Sequence, residues 1–181
     1  GDRMVVGSPL GDGNTADANN GYGAVRAFVL AQPSAGTLNF GDSAASDATV
    51  DAAMLASALD SGTSITLQAN NDIVLQSARP ITVADGSGNG SLRLQAGRSI
   101  LLNSNITTGN ADLTLVANDT VANGVVNAYR DPGAAVITQG VGTTINAGSG
   151  QVSMTIASGA GKTNSTSGAI TIGGGLTARS V

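Results

Sequence analysis

The sequence contains no cysteine, histidine, tryptophan or glutamate. Without cysteine neither a disulfide framework nor a thiolate metal site is possible, and without histidine the commonest general base and zinc ligand are missing. Aromatic residues make up 2% of the chain, although 41% of it is hydrophobic. A core therefore has to be built from alanine, valine, isoleucine and leucine.

Charged residues are equally sparse, at 11% of the chain. All twelve acidic residues are aspartate, and Lys162 is the only lysine. Glutamate and lysine favour helices, whereas aspartate, asparagine, glycine and serine favour turns, so the composition predicts strands and turns with little helix. The net charge of −4 argues against a nucleic-acid partner, because phosphate binding needs an excess of lysine and arginine.

No apolar run approaches the roughly 20 residues that a membrane-spanning helix needs, so we expect no such span. The chain opens with GDRMVVGSPL, which lacks the basic and then apolar pattern of a signal peptide. If the parent protein is secreted, we expect its leader to lie upstream. A length of 181 residues suits one domain with a real core or one segment of a longer protein.

One phrase of alternating apolar and polar residues recurs along the chain. SITLQANNDIVLQSARPITV, from Ser64, aligns with SLRLQAGRSILLNSNITT, from Ser91, at an offset of 27 residues, and DLTLVAND, from Asp112, follows 21 residues later. Looser fourth and fifth copies begin at Gln151 and Ala169. Each copy consists of short alternating strands that are separated by small-residue corners, a period of two rather than the 3.6 of a helix.

Strands this short cannot bury a face alone, so we expect each copy to stack on the one before it. Ile65 then lies beneath Leu92, and Leu92 beneath Leu113, at the ~4.8 Å spacing of paired strands. The predicted fold class is all-β, a right-handed parallel β-helix over residues 37–181. Asn70, Asn71, Asn103, Asn105 and Asn118 could stack as ladders at its corners.

Two segments depart from the repeat. Val50, Met54, Leu55, Ala58 and Leu59 form an apolar stripe, which predicts a capping helix over about 50–59, within 47–61, with Asp47 or Thr49 as its N-cap and Gly62 just past its end. We expect this helix to cover the open end of the coil. The interval of 39 residues from Leu113 to Val152 predicts a loop that protrudes around NAYRDPG.

The phrases DATVDAAMLASALDSGTSITLQANNDIVL, LRLQAGRSILLNSNITT and DLTLVAND resemble the fibre repeats of filamentous-haemagglutinin-type exoproteins. That family is secreted by the two-partner route and forms long right-handed β-helices. The resemblance covers the chain from about residue 37 and implies a shaft segment of a bacterial surface protein. It is carried by the style of the phrase rather than by a catalytic motif.

The opening GDRMVVGSPLGDGNTADANNGYGAVRAF is similar to one blade repeat of integrin-like propellers, the FG-GAP repeat. The resemblance implies a separate segment over 1–36 with strands at 4–6 and 24–30. One blade cannot fold alone, since propellers need several. This strand pair could instead join the edge of the β-helix or of the next molecule.

No catalytic or cofactor-binding group stands out. The acid and base candidates are scattered along the repeats: Asp72, Asp85, Asp112, Asp119, Asp131, Arg79, Arg93, Arg98 and Arg130. Tyr129, Arg130 and Asp131 form the most functional-looking group, a possible contact loop on the expected protrusion; the alternative is an exposed turn with an internal Arg–Asp pair. Asp12, Asn14 and Asp17 are a weak calcium candidate, because calcium prefers oxygen ligands from such loops.

The sequence therefore predicts a non-enzymatic extracellular segment of a bacterial adhesin or surface fibre, which acts as a stiff rod for display and adhesion. Its partners would be neighbouring copies or the rest of a longer exoprotein, and surface polysaccharide or a host receptor. Two alternatives remain open. One is a self-assembling filament subunit that adds its amino-terminal strands to the next copy, and the other is a polysaccharide-binding or carbohydrate-active β-helix.

Overall fold

The computed structural model describes residues 40, 50–86, 88–159 and 168–181. The expected strand pair in residues 1–36, with its boundary at residue 37 and the calcium candidates Asp12, Asn14 and Asp17, lies outside these residues. The repeats, the helix and the long interval between the third and fourth copies lie within them.

The chain passes four times through the same three strand positions, and each pass adds one strand to each of three parallel sheets. This all-β arrangement is β-helix-like, because every strand pairs with its counterpart one turn earlier in the chain. The first sheet contains β1 (Ile65–Ala69), β4 (Leu92–Ala96), β7 (Leu113–Ala117) and β10 (Val152–Ile156); the second contains β2 (Ile73–Leu75), β5 (Ile100–Leu102), β8 (Ile137–Gln139) and β11 (Ile170–Ile172); the third contains β3 (Ile81–Thr82), β6 (Ile106–Thr107), β9 (Thr144–Asn146) and β12 (Gly175–Thr177).

The register of the first sheet confirms the predicted stacking. Ile65 pairs with Leu92, Leu92 with Leu113, and Leu113 with Val152. The expectation of a fifth copy at Ala169 is wrong. Strands β11 and β12 pair with β8 and β9, so they complete the fourth turn instead of beginning another.

The core consists of the inward residues of these strands. In β7 the burial alternates along the strand, with Leu113, Leu115 and Ala117 fully buried and the residues between them half-exposed. The same alternation in β1 and β2 gives the first turn a buried aliphatic interior. Hydrophobic burial and hydrogen bonds between successive turns therefore hold the described part of the fold together.

A helix, α1 (Ala52–Asp60), precedes the first strand. Its N-cap is Asp51, whose Oδ1 accepts hydrogen bonds from the N–H groups of Ala53 and Met54 at 2.8 and 3.0 Å. The predicted caps Asp47 and Thr49 are therefore wrong. Asp51 is the residue whose carboxylate reaches the free N–H groups of the first turn.

The apolar face of α1 lies on the first turn of the coil. Leu55 and Leu59 are buried in the same core as the first-turn strands, as predicted, and the helix contacts β3. Met54 was expected in this stripe but is 55% exposed. Gly62 follows the helix with φ +89°, the left-handed conformation expected of a residue that ends a helix.

The long interval contains an excursion, which we define as residues 120–136, between β7 and β8. It includes two short 3₁₀ helices, Val121–Asn123 and Asn127–Tyr129. The excursion folds back onto the coil instead of protruding, because Val125 is buried and the Val126 N–H donates to Asn70 Oδ1 at 2.7 Å. The prediction of an insertion is confirmed, and the prediction that it protrudes is wrong.

Substitution of Leu113 by alanine tests the stacked core. Leu113 has a neighbour above and below in the same ladder, so Leu113→Ala leaves a cavity that the rigid backbone cannot close, and we expect a loss of about 2–5 kcal/mol in the free energy of unfolding. Arg93→Ala, at an outward position in β4, is the matched control and should change stability by under about 0.5 kcal/mol. Chemical denaturation measures both; equal effects would contradict the stacking.

Candidate functional site

The described part of the chain concentrates its buried polar groups where the first sheet turns into the second. We call this place the first corner and define it by residues 70–72, 97–99 and 118–120, which follow β1, β4 and β7. Asn70, Asn71, Asp72, Ser99, Asn118 and Asp119 are all buried there. The excursion packs against the first corner, so each of these groups has to find a partner within the protein.

A ladder of hydrogen bonds leads along the outer face of the first sheet to this corner. Gln68 Nε2 donates to Gln95 Oε1, and Gln95 Nε2 donates to Asp119 Oδ2, both at 2.9 Å. The lower end of the ladder receives the Phe40 N–H at Gln68 Oε1, at 3.2 Å. Three turns are thereby connected by side chains as well as by backbone.

Asp119 is fully buried, and donors from the protein surround its carboxylate. Besides Gln95, the Thr120 N–H donates to Oδ1 at 2.8 Å and Asn123 Nδ2 donates to Oδ1 at 2.6 Å. Both donors belong to the start of the excursion. Asp119 therefore fixes the point at which the chain leaves the coil, since a buried carboxylate needs such donors.

Arg98 and Asp72 form a two-pronged ion pair between neighbouring turns. Arg98 Nε and Nη2 donate to Asp72 Oδ1 and Oδ2 at 2.8 and 2.6 Å, and the Ser99 N–H donates to Oδ1 at 2.9 Å. The hydrogen bonds with Asp72 raise the pKa of Arg98 against the opposing effect of burial, and the charges of Asp72 and Asp131 add to the rise. Because the pKa is raised, Arg98 keeps its positive charge at every pH below the ordinary range of an arginine.

The same ion pair holds the far end of the excursion. Arg98 Nη1 donates to the Pro132 carbonyl oxygen at 3.3 Å, and Asp131 Oδ2 lies 3.9 Å from Arg98 Nη2. Asn71 Nδ2 also donates to Asp131 Oδ2. The chain then re-enters the coil where the Val136 N–H donates to Ser99 Oγ at 3.2 Å.

The predicted contact loop contains one buried cation. Arg130 is 1% exposed, and its Nη2 donates to Asn118 Oδ1. Burial lowers the pKa of Arg130, and the nearby charge of Arg98 lowers it further. The expectation that Tyr129, Arg130 and Asp131 together form an exposed contact group is wrong for Arg130, whereas Tyr129 is half-buried and the Asp131 side chain is 47% exposed.

The remaining acid and base candidates do not assemble into one site. Asp72, Arg98 and Asp131 meet at the first corner, and Asp119 lies on the glutamine ladder. Asp85, Asp112, Arg79 and Arg93 are exposed elsewhere on the coil. The principal ion pair among these candidates joins Arg98 to Asp72 of the neighbouring turn, whereas the alternative reading of the loop expected a pair within the turn itself.

The expected asparagine ladders are not formed. Gly97 stands between Asn70 and Asn118 in the same column, and a Cβ there would collide with the Asn70 carbonyl oxygen. Asn103 and Asn105 are exposed, and Asn105 Oδ1 accepts from the Thr144 N–H at a different corner. The buried asparagines hold the excursion instead: Asn70 Nδ2 donates to Phe40 O at 2.8 Å and its Oδ1 accepts from Val126.

The first corner is built to connect chain segments. Every oxygen of Asp72 and Asp119 accepts from a protein donor, so both carboxylates join segments of the chain to one another. In the described residues, no three acidic side chains come close enough to hold a metal ion. The helices of the same residues also include none that is long and apolar enough to cross a membrane.

A groove lies between α1 and the third sheet. This groove has a volume of about 350 Å³ and is lined by small residues such as Ala53, Ala56 and Ser57, together with Asp60, Pro80 and Thr82. None of its lining residues is aromatic, so the groove offers no flat apolar surface on which a sugar ring could stack.

The chain matches no protein-family model, no curated protein and no solved structure.

Sequence reasoning missed most of the first corner. Gln68 and Gln95 were not singled out from the sequence, and Asn71 was expected only to stack in a corner ladder. Their contacts join residues 24 to 60 positions apart. One available signal was the alignment of the repeats, which places Gln68 over Gln95 at the same position of successive turns. Identical amides one above the other on a parallel sheet can donate along the stack.

Substitution of Asp72 by asparagine tests the ion pair of the first corner. Asp72→Asn keeps the shape but removes the charge opposite Arg98, and we expect the free energy of unfolding to fall by about 2–4 kcal/mol. Asp85→Asn, at an exposed position, is the matched control and should have little effect. Hydrogen exchange should also show faster exchange in residues 126–136; unchanged exchange there would contradict the anchoring of the excursion.

Proposed function

We propose that this chain is a non-enzymatic structural segment of a bacterial extracellular adhesin or surface fibre, built as a right-handed β-helix. The observation that carries the proposal is the continuous register of the three sheets, in which four turns repeat the same side-chain positions. A coil of this kind gains length by adding turns, and each turn contacts mainly its neighbours. Its function is then to hold other parts of the protein at a distance from the cell.

The right-handed sense has a physical basis. Successive strands of each sheet are parallel and joined by a crossover that passes through the other two sheets. Crossovers between parallel strands are almost always right-handed, because the natural twist of a strand favours that connection. A right-handed coil also agrees with the fibre repeats that the sequence resembles.

The extracellular role is supported by the phrases that resemble filamentous-haemagglutinin-type repeats. LRLQAGRSILLNSNITT coincides with the strands β4, β5 and β6, so the resemblance falls on one complete turn of the coil. A structural role is supported further by the first corner, where buried polar groups bind one another. The partners proposed for such a segment are the rest of a longer exoprotein and a surface polysaccharide or host receptor.

Immunogold labelling of intact cells of the source organism, with antibodies raised against the purified chain, tests the location and the role as a spacer. We expect gold particles outside the cell at a constant distance from the envelope, because a stiff coil holds its epitopes at a fixed height. A strain that lacks the gene is the control. Labelling that requires lysis of the cells would overturn the proposal.

The same purified chain can be incubated with acidic and neutral polysaccharides while new reducing ends and unsaturated products are measured. We expect no polysaccharide cleavage that depends on Asp72, because both carboxylate oxygens of Asp72 already accept hydrogen bonds from Arg98 and Ser99. The Asp72→Asn variant should therefore give the same result as the unaltered chain. Cleavage that depends on Asp72 would instead support a carbohydrate-active β-helix.

A further inference from the structure

An asparagine that is followed by glycine reacts readily with its own backbone, because glycine has no side chain to obstruct the attack. The chain contains this pair at positions 20–21, 89–90 and 123–124. The first pair lies outside the described residues, the second lies in the coil just before β4, and the third lies in the excursion. The two described pairs differ in how the fold holds them.

Both residues of the 123–124 pair are needed by the fold. Gly124 has φ +106°, a left-handed conformation that favours glycine, and a Cβ at this position would lie 3.3 Å from Phe40 Cδ2. Asn123 is exposed, but its Nδ2 donates to the buried carboxylate of Asp119 at 2.6 Å. The reactive pair is therefore built into the start of the excursion.

The reaction of such a pair removes the side-chain nitrogen. The backbone nitrogen of Gly124 loses its proton and bonds to Cγ of Asn123, which closes a succinimide ring, and the Nδ2 group takes up a proton and leaves as ammonia. Water then adds to one of the two ring carbonyls and breaks the bond between that carbonyl and the ring nitrogen. Asn123 becomes aspartate or isoaspartate, and neither an oxidant nor a reductant is consumed.

The nitrogen that leaves is the one that binds Asp119. After the reaction a second carboxylate replaces this donor, beside a buried carboxylate that retains Gln95 and the Thr120 N–H. Two carboxylates in contact repel each other, and a buried charge is destabilised when it loses a donor. The altered side chain therefore turns towards solvent, and the start of the excursion loses one of its attachments to the coil.

The folded chain restrains both reacting groups. Asp119 holds the amide of Asn123, and the attacking nitrogen of Gly124 donates its proton to the Val121 carbonyl oxygen at 3.0 Å. Ring closure needs a Gly124 nitrogen without its proton and an Asn123 amide that is free to rotate. Both conditions require the start of the excursion to detach.

Val125 and Val126 hold the excursion just beyond the reactive pair. Val125 is buried next to Gly97, where a Cβ would lie 3.1 Å from Val125 Cγ1, and the Val126 N–H donates to Asn70 Oδ1 at 2.7 Å. Segments outside the core strands open locally at a lower free energy than the core. Opening of residues 120–126 therefore frees the 123–124 pair while the coil remains folded.

The 89–90 pair is held more firmly. Asn89 Nδ2 donates to the carbonyl oxygens of Ala84 and Gly109 at 2.8 and 2.7 Å, and the Gly90 N–H donates to the Leu59 carbonyl oxygen at 2.8 Å. Gly90 is buried, and Leu59 belongs to the core. Release of this pair requires part of the coil to unfold, so it is an internal control with the same chemistry.

We propose that Asn123 and Gly124 form a self-modification site through which transient opening of the excursion becomes a lasting change. Each opening exposes the pair to ring closure, and the carboxylate that results stops Asp119 from holding residue 123 again. The change runs in one direction, because the ammonia is lost to solvent. The attachment of the excursion is thereby weakened with time, while the register of the coil is unaffected.

Peptide mass spectrometry with an isoaspartate assay measures the reaction in the full chain at mildly alkaline pH. In the folded chain we expect Asn123 to be modified at least about tenfold faster than Asn89, because a local opening suffices for the first pair but not for the second. The two asparagines should react at similar rates once guanidinium chloride has unfolded the chain.

Val125→Ala tests the dependence on opening without altering either reacting residue. Val125 is 2% exposed, so the smaller side chain loosens the start of the excursion, and modification of Asn123 should become several-fold faster. Val121→Ala, at a position that is 49% exposed, is the matched control and should leave the rate unchanged. An unchanged rate at Asn89 shows that the coil of each variant remains folded.

Asn123→Asp tests the effect of the product. Hydrogen exchange of the Val126 N–H should become at least about tenfold faster than in the unaltered chain, because the new carboxylate repels Asp119. Asn123→Ala loses the donor without gaining a charge, so its exchange rate should lie between the two.

Four outcomes would overturn the proposal. Modification of Asn123 no faster than that of Asn89 means that opening of the excursion does not control the reaction, and modification as fast in the folded chain as in the unfolded one means that Asp119 does not restrain it. The third outcome is an Asn123 rate that Val125→Ala leaves unchanged. The fourth is unaltered exchange of the Val126 N–H in Asn123→Asp, which would show that the product carboxylate does not loosen the excursion.

Discussion

Parallel pairing in register is the constraint on which the rest of the structure depends. Side chains alternate between the two faces of a strand, so a shift of one residue in any turn would carry its aliphatic residues from the interior to the surface. Four turns keep the same register in the first sheet, from Ile65 to Val152. The regular repetition of small aliphatic residues follows from this requirement, because the narrow interior accepts the same side-chain size at each level.

Insertions are accommodated at the corners, because an extra residue within a strand would shift its register. Between β7 and β8 the chain inserts seventeen residues, 120–136, and still returns to the register of the second sheet, where Ile137 pairs with Ile100. This return is possible because the excursion is held at both ends, by Asp119 where it leaves and by Ser99 where it re-enters. Gly97 makes room between the two buried asparagines of the first corner, since any side chain there would strike the Asn70 backbone. The polar groups of the first corner thus hold the excursion against the coil.

The sequence predicts the repeating part of the fold and misses its exceptions for physical reasons. Period-two alternation places Ile65, Leu92 and Leu113 correctly, because local pattern and stacking agree there. The cap at Asp51 was missed because several residues before α1 are equally good caps, and only the geometry of the chain selects one. The burial of Arg130 was missed because it depends on Asn118, twelve residues earlier in the same turn, a contact that no local pattern encodes. The gathering of Asp72, Arg98 and Asp131 was likewise invisible, since these residues come from two turns and the excursion.

Because α1 covers the first turn of the coil, further turns can be added on the opposite side only. The first turn already buries Ile73 and Leu75 beneath α1. The free edge of its strand β2 then pairs with β5 of the next turn. Each new turn then needs only local chain to complete, which keeps the loop-closure entropy of every step small. Folding can therefore advance turn by turn from the amino-terminal side.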